Sequence, residues 1–68
     1  MHNKIGTLAG EIWKLLKAKG EQKLSGLPKL LDEKAADVHL ALGWLARENK
    51  VTFTDKKNVT WVALNGDN

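Results

Sequence analysis

The segment VTFTDKKNVTWVAL, residues 51–64, contains two short runs in which β-branched or aromatic side chains occur at every second or nearly every position. This composition and spacing are typical of β-strands. The residues between the runs, Lys56, Lys57 and Asn58, suit a three-residue hairpin loop with Asn58 in the left-handed conformation. The segment therefore predicts an antiparallel hairpin at the C-terminal end of the chain.

A three-residue loop also determines which side chains share a face of this hairpin. Counting back from the loop, Phe53 would face Trp61, and Val51 would face Ala63. These four residues would form the buried face. The opposite, outer face would then carry Thr52, Thr54, Thr60 and Val62.

Upstream of the hairpin, the hydrophobic pattern has the period of a helix. Residues 5–19 are expected to form an amphipathic helix, with Gly20 positioned to end it in a left-handed conformation. Two lysines in the last turn, Lys17 and Lys19, complement the helix dipole. The apolar stripe of this helix consists of Ile5, Leu8, Ile12, Leu15 and Leu16.

Two further helices are predicted between this helix and the hairpin. Residues 22–24 are expected to pair briefly as an edge strand, and a short helix follows over residues 26–31 with Pro28 in its first turn. A polar turn at residues 32–34 leads into a third helix over residues 35–48, which Asn49 is expected to terminate. The inner face of the third helix is predicted to be Val38, Ala41, Leu42 and Leu45.

Helix, short strand, helix, turn, helix and hairpin is the order of a winged helix-turn-helix domain of the α+β class. In this fold the second and third helices form the helix-turn-helix, and the hairpin packs against the third helix as the wing. The whole chain, residues 1–68, is expected to be one such domain, ordered over about residues 5–64.

Two segments also carry a resemblance to a known family. The motif LPKLL at residues 27–31 and the segment ALGWLARENKV at residues 41–51 resemble a family of small, largely uncharacterised bacterial winged helix-turn-helix proteins. The resemblance covers residues 5–64, and it implies the winged-helix fold. DNA binding is the function that this fold suggests.

The composition limits the classes of function. The 68 residues contain no cysteine, which fits a reducing compartment, and no stretch long and apolar enough to span a membrane. The N-terminal residues carry no hydrophobic signal segment, so a cytoplasmic location is expected. No catalytic, cofactor, metal or small-molecule site is predicted, because His39 has no nucleophile or orienting carboxylate at a useful spacing and the glycines are dispersed.

The net charge of +3 is distributed unevenly along the chain. Residues 1–31 carry six lysines and two glutamates (+4), residues 32–50 carry three cations and four carboxylates (−1), and residues 51–68 are balanced. The leading end of the third helix is therefore slightly acidic, which predicts weak and salt-dependent binding to double-stranded DNA. The candidate DNA contacts are Lys29, Lys34, His39, Lys56, Lys57 and Asn58.

The alternative function is a protein-interaction or homodimerisation module. Leu40, Gly43, Trp44 and Arg47 follow helical spacing on a face of the third helix separate from its predicted inner face. Either Trp44 completes the core of the monomer, or this stripe is an exposed patch for a partner. In the second case the interface would extend onto the outer face of the hairpin, including Val62.

Overall fold

The structure, a computed structural model, describes residues 2–65 and has the predicted order of elements. A short 3₁₀ turn, Leu24–Gly26, leads from the first strand into the second helix. The three helices are α1 (His2–Lys19), α2 (Leu27–Leu31) and α3 (Ala35–Arg47), and the three strands are β1 (Gln22–Lys23), β2 (Val51–Lys56) and β3 (Val59–Leu64). The winged helix-turn-helix prediction is confirmed, with α2 and α3 as the helix-turn-helix and β2–β3 as the wing.

The core lies where α1, α3 and the sheet meet, with α2 closing one side. Three residues of the predicted α1 stripe, Leu8, Ile12 and Leu16, are buried, while Ile5 and Leu15 are partly buried against them. The predicted inner face of α3 is buried in full, and Leu27 of α2 joins it. The apolar periodicity of the helices therefore located most of the core, because a helix buries one continuous stripe.

The hairpin register differs by one residue from the predicted one. β2 pairs with β3 so that Phe53 lies opposite Val62, Thr54 opposite Trp61, and Val51 opposite Leu64. Trp61 is consequently on the outer face, while Val62 is fully buried in the core, at 0 % exposure. The prediction that Phe53 pairs with Trp61 and Ala63 lies on the buried face is wrong, because a one-residue shift exchanges the two faces of a strand.

The cause of the shift is the length of the loop. Lys56 belongs to β2 and pairs with Val59, so the loop contains only two residues, Lys57 and Asn58. Both have positive φ, 52° and 66°. This is the geometry of a type I′ turn, whose twist matches that of the flanking strands. Asn58 is left-handed as predicted, but the sequence contained no comparable signal for Lys57, since lysine rarely adopts this conformation.

The outer face of the sheet is held by contacts around Trp61 on the central strand β3. The Nζ atoms of Lys23 and Lys56 lie 5.7 Å and 5.6 Å from the centre of the Trp61 ring. Lys56 Nζ also lies 2.9 Å from Oε1 of Glu21, just before β1. The ring quadrupole attracts both ammonium groups. These contacts connect the wing to the predicted edge strand, which the structure confirms as β1, paired antiparallel with β3.

Two left-handed residues set the ends of the helix-turn-helix. Asp32 ends α2 with φ 54°, and Asn49 follows α3 with φ 58°, the terminating role predicted for it. Asn65, which follows β3, is hydrogen-bonded to the end of α3: its Nδ2 donates to Asn49 O at 3.1 Å and to Asn49 Oδ1 at 3.0 Å.

Over residues 2–65, none of the helices has the length and apolar character needed to cross a bilayer.

Candidate nucleic-acid interface

A groove between the start of α3 and the wing brings together candidate residues that are far apart in sequence. His39, one turn into α3, and Asn58, at the tip of the wing, line the same groove of about 490 Å³. Ser25, Pro28 and Thr60 also line this groove, and Thr60 Oγ1 donates to Asp55 Oδ1 at 2.7 Å. The two-residue turn places Lys57 beside Asn58, and both side chains are exposed.

A second groove adjoins the first and contains the other two candidate lysines. Lys29 from α2 and Lys34, which precedes α3, line it together with Pro28, so Pro28 borders both grooves. Both lysines are exposed. Lys29 and Lys34 therefore line one groove and His39 and Asn58 line the other, and Pro28 borders both. Lys57 adjoins Asn58 in the wing turn.

Lys4 of α1 changes the electrostatics that the sequence implied for this surface. Its Nζ lies 3.2 Å from Asp37 Oδ2 and 3.5 Å from Glu33 Oε1. The hydrogen bond and charge of Asp37, together with the charge of Glu33, raise the pKa of Lys4 above its usual value. Two of the three carboxylates at the leading end of α3 thus have a cationic partner that sequence spacing did not reveal.

Lys56 lies apart from the other candidate contacts. It belongs to the outer face of the sheet, and its ammonium group is engaged by Glu21 and by the Trp61 ring. In the predicted three-residue loop it would have shared the wing tip with Lys57. The shorter turn makes Lys56 the last residue of β2, on the face that carries Trp61, and leaves Lys57 in the turn itself.

The outward face of α3 has few groups that can read base edges. Its exposed side chains at positions 36, 40, 43 and 47 are alanine, leucine, glycine and arginine. Base-edge recognition in the major groove relies on hydrogen-bonding side chains such as Arg, Asn and Gln. On this stripe Arg47 is the one such residue, and it lies at the C-terminal end of the helix rather than at the leading end.

The interface residues predicted for the alternative function divide into two groups. Leu40 and Trp44 are exposed, at 62 % and 53 %, so Trp44 does not complete the core of the monomer. Gly43 and Arg47 are exposed beside them. Val62, in contrast, is fully buried and does not belong to any surface; its prediction as an interface residue is wrong for the same register reason.

Trp44 also borders a groove between α3 and α1. This groove of about 440 Å³ has Trp13 and Trp44 on its walls, and Gly6 and Gly10 lie along its α1 side. Trp13 is half-buried, with Lys17 Nζ 4.8 Å from its ring centre. Trp13 of α1 and Trp44 of α3 therefore share one groove, whose rim also carries the charged residues Lys14, Glu48 and Lys50.

Packing within the monomer does not require a glycine at position 43. A Cβ atom at this position would meet no atom within 4 Å. Gly43→Ala is therefore expected to stabilise the isolated monomer by about 1 kcal/mol, because alanine has the higher helix propensity and the space is open. Urea unfolding at low protein concentration measures the change, and a loss of stability would contradict it.

Among residues 2–65, the structure contains no group of three or more metal-ligating side chains. His39 is exposed on the surface of α3. Its place in the groove with Asn58 makes it a candidate hydrogen-bonding residue for a phosphate or base.

Comparison with known proteins identifies a relative and two similar structures. The chain is 43 % identical over 65 residues to an uncharacterized protein of the archaeon Methanocaldococcus jannaschii, covering 91 % of this chain and 90 % of that protein. The group therefore extends beyond the bacteria in which the resemblance placed it.

The solution NMR structure of a protein from Bacteroides thetaiotaomicron has a TM-score of 0.84 at 29 % identity and covers 96 % of this chain and 79 % of that one. The crystal structure of a Zalpha domain from Carassius auratus PKZ in complex with Z-DNA has a TM-score of 0.75 at 22 % identity. It covers 88 % of this chain and 95 % of that one, and the likeness shows a shared fold. A family model described as a winged helix-turn-helix domain (DUF2582) matches residues 1–64. The chain therefore belongs to the DUF2582 family of winged helix-turn-helix domains.

Proposed function

We propose that this domain is a non-enzymatic module that binds duplex DNA through the phosphate backbone. The observation that carries the proposal is the pair of grooves bordered by Pro28, of which one is lined by His39 and Asn58 and the other by Lys29 and Lys34. Lys57 is exposed beside Asn58 in the wing turn. Cationic and amide side chains around such grooves are suited to phosphate oxygens, which receive half or more of the hydrogen bonds in protein–DNA complexes.

The ion pairs of Lys4 reduce the electrostatic repulsion expected between the start of α3 and DNA phosphates. The leading end of α3 has three carboxylates at residues 32–37, and unpaired carboxylates there would repel phosphates. Lys4 contacts two of them, so the repulsion is weaker than the local sequence predicts.

The same surface supports backbone binding better than sequence reading. The outward stripe of α3 has only Arg47 as a strong base-reading side chain, whereas three exposed lysines, Lys29 and Lys34 of the second groove and Lys57 of the wing turn, are suited to point contacts with phosphates. We therefore expect duplexes of different sequence to bind with affinities within a few-fold of one another. The Zalpha neighbour, whose structure includes Z-DNA, is a protein of this fold that binds a duplex.

The test is a titration of the labelled domain with short duplexes, followed by amide chemical shifts. Addition of duplex at about 50 mM salt is expected to shift the amides of residues 29, 34–39 and 57–58. Three phosphate contacts predict a salt slope of about −2.7, which corresponds to a loss of affinity of roughly 40-fold between about 50 mM and about 200 mM salt.

Two results would contradict the proposal. Shifts that stay flat at about 50 mM salt would exclude DNA binding by this domain, because electrostatic attraction is strongest at low salt. Shifts confined to the outer face of the sheet around Trp61 would place any binding elsewhere. A single-stranded oligonucleotide of the same length serves as the control, and we expect it to bind more weakly than the duplex.

A further inference from the structure

We infer that the exposed face of α3 docks against the same face of a second copy of this chain, with the two α3 helices antiparallel. Leu40 and Trp44 are exposed by 62 % and 53 % there, and α3 is otherwise packed against α1, α2 and β2. This inference does not depend on DNA binding.

The spacing of the face matches helix–helix packing. Residues 36, 40, 43 and 47 follow steps of four, three and four, the repeat by which two helices keep one seam in contact. In an antiparallel pair with its two-fold axis between residues 41 and 42, each Leu40 lies opposite Gly43 of the partner. The open space above Gly43 then receives the leucine side chain, and the missing Cβ allows the two helices to approach closely.

The charge distribution favours this particular orientation and this particular partner. Residues 32–37 carry three carboxylates and one lysine, and with the Lys4 ammonium group that contacts two of these carboxylates the local net charge is −1. Residues 47–50 carry two cations and one carboxylate, a net charge of +1. An antiparallel pair places the acidic start of each α3 near the basic end of the other. It also brings the positive end of each helix dipole beside the negative end of the other, which is favourable. A parallel pair would bring like charges together at both ends.

The size of the face predicts the strength of the dimer. A standard interface buries about 800 Å² on each partner, about one sixth of the 4862 Å² that this chain exposes. A single helix of 13 residues, about 20 Å long, together with Trp44 supplies less than this. We therefore expect a weak dimer, with a Kd in the range of about 10 µM to 1 mM.

Sedimentation equilibrium of the full chain over about 10 µM to 1 mM tests the inference. The average mass is expected to rise with concentration from 7.5 kDa towards twice that value. Gly43→Gln fills the space that Leu40 of the partner would enter, and should weaken association by at least about tenfold. It should keep the fold, which circular dichroism checks, because glutamine is a better helix former than glycine and the site is open.

Gly10→Gln is the matched control. Gly10 is also exposed in a helix interior, with open space at its Cβ position, but it lies on α1, outside the α3 seam, in the groove that Trp13 and Trp44 line. The Gly10 variant is expected to associate like the unmodified chain. A mass that stays at 7.5 kDa throughout would overturn the inference. So would association lost in the Gly10 variant and retained in the Gly43 variant, which would place the contact in the α1–α3 groove.

The dimer proposal and the DNA proposal can each be contradicted without affecting the other. Association of the free protein at moderate salt is measured without any nucleic acid, and Gly43→Gln leaves Lys29, Lys34 and Lys57 in place. Loss of self-association in this variant would support the dimer whatever its effect on duplex binding, because Gly43 lies one helical turn from His39 on the same exposed side of α3. Duplex binding with no self-association at any concentration would overturn the dimer alone.

Discussion

Val62→Asp is expected to unfold the domain. Val62 is fully buried in the core on β3, opposite Phe53 and Gln22 on the two neighbouring strands. The substitution removes apolar packing and buries a carboxylate without a partner, a combination that costs about 3–5 kcal/mol or more. A domain of this size has a total stability of about 3–10 kcal/mol, so most of it would be lost. Thermal unfolding followed by circular dichroism measures the effect.

Ala63→Asp is the control that distinguishes the two hairpin registers. Ala63 pairs with Thr52 on the outer face and is partly exposed, so an aspartate there can remain hydrated. We expect this variant to lose at most about 1 kcal/mol and to stay folded. The opposite pattern, an unfolded Ala63 variant and a folded Val62 variant, would restore the register expected from a three-residue loop.

The double variant Lys34→Glu with Lys57→Glu is expected to lose at least about 100-fold in duplex affinity at about 50 mM salt. Each phosphate contact contributes about 15-fold at this salt concentration, through release of counterions. One lysine precedes α3 and lines the second groove, and the other lies in the wing turn beside Asn58. Removing both leaves Lys29 as the remaining lysine of the set, so the salt slope should fall from about −2.7 to about −0.9 or less.

Lys14→Glu with Lys19→Glu provides the matched control, because it changes the net charge by the same amount. Both lysines are exposed on α1, away from the two grooves that adjoin Pro28. Their reversal is expected to reduce duplex affinity by only a few-fold, through the overall field of the protein. Equal losses in the two double variants would mean that net charge alone governs binding, and would contradict a defined contact surface.

The helices show how much a sequence with strong periodicity can predict. Leu8, Ile12 and Leu16 of α1 and the inner face of α3 were all identified by their spacing, because a packed helix needs an apolar stripe every three or four residues. The helix ends were predicted to within three residues: α1 begins at His2 rather than at residue 5, and α3 ends at Arg47 rather than at residue 48. Gly20 and Asn49 have the positive φ values predicted for residues that end a helix.

The hairpin shows where sequence reasoning was wrong. Both of its faces have apolar or β-branched side chains, so alternation did not decide whether Trp61 or Val62 points into the core. The loop length decided it, and the left-handed conformation of Lys57 is costly for a lysine outside a defined turn. Packing of Val62 against the helices favours this arrangement, since burial of a valine contributes about 1.5–3 kcal/mol.

The sequence by itself determined the fold class, the helix-turn-helix and wing, most of the helical core and the distribution of charge along the chain. These properties depend on local periodicity and on residues close in sequence. Only the tertiary structure showed that Lys4 binds Glu33 and Asp37, and that His39 shares a groove with Asn58. Only the structure placed Lys56 on Trp61 instead of at the wing tip. The first three contacts join residues 19 to 33 positions apart, and the fourth depends on a one-residue register; the packing of the helices on the sheet decides them.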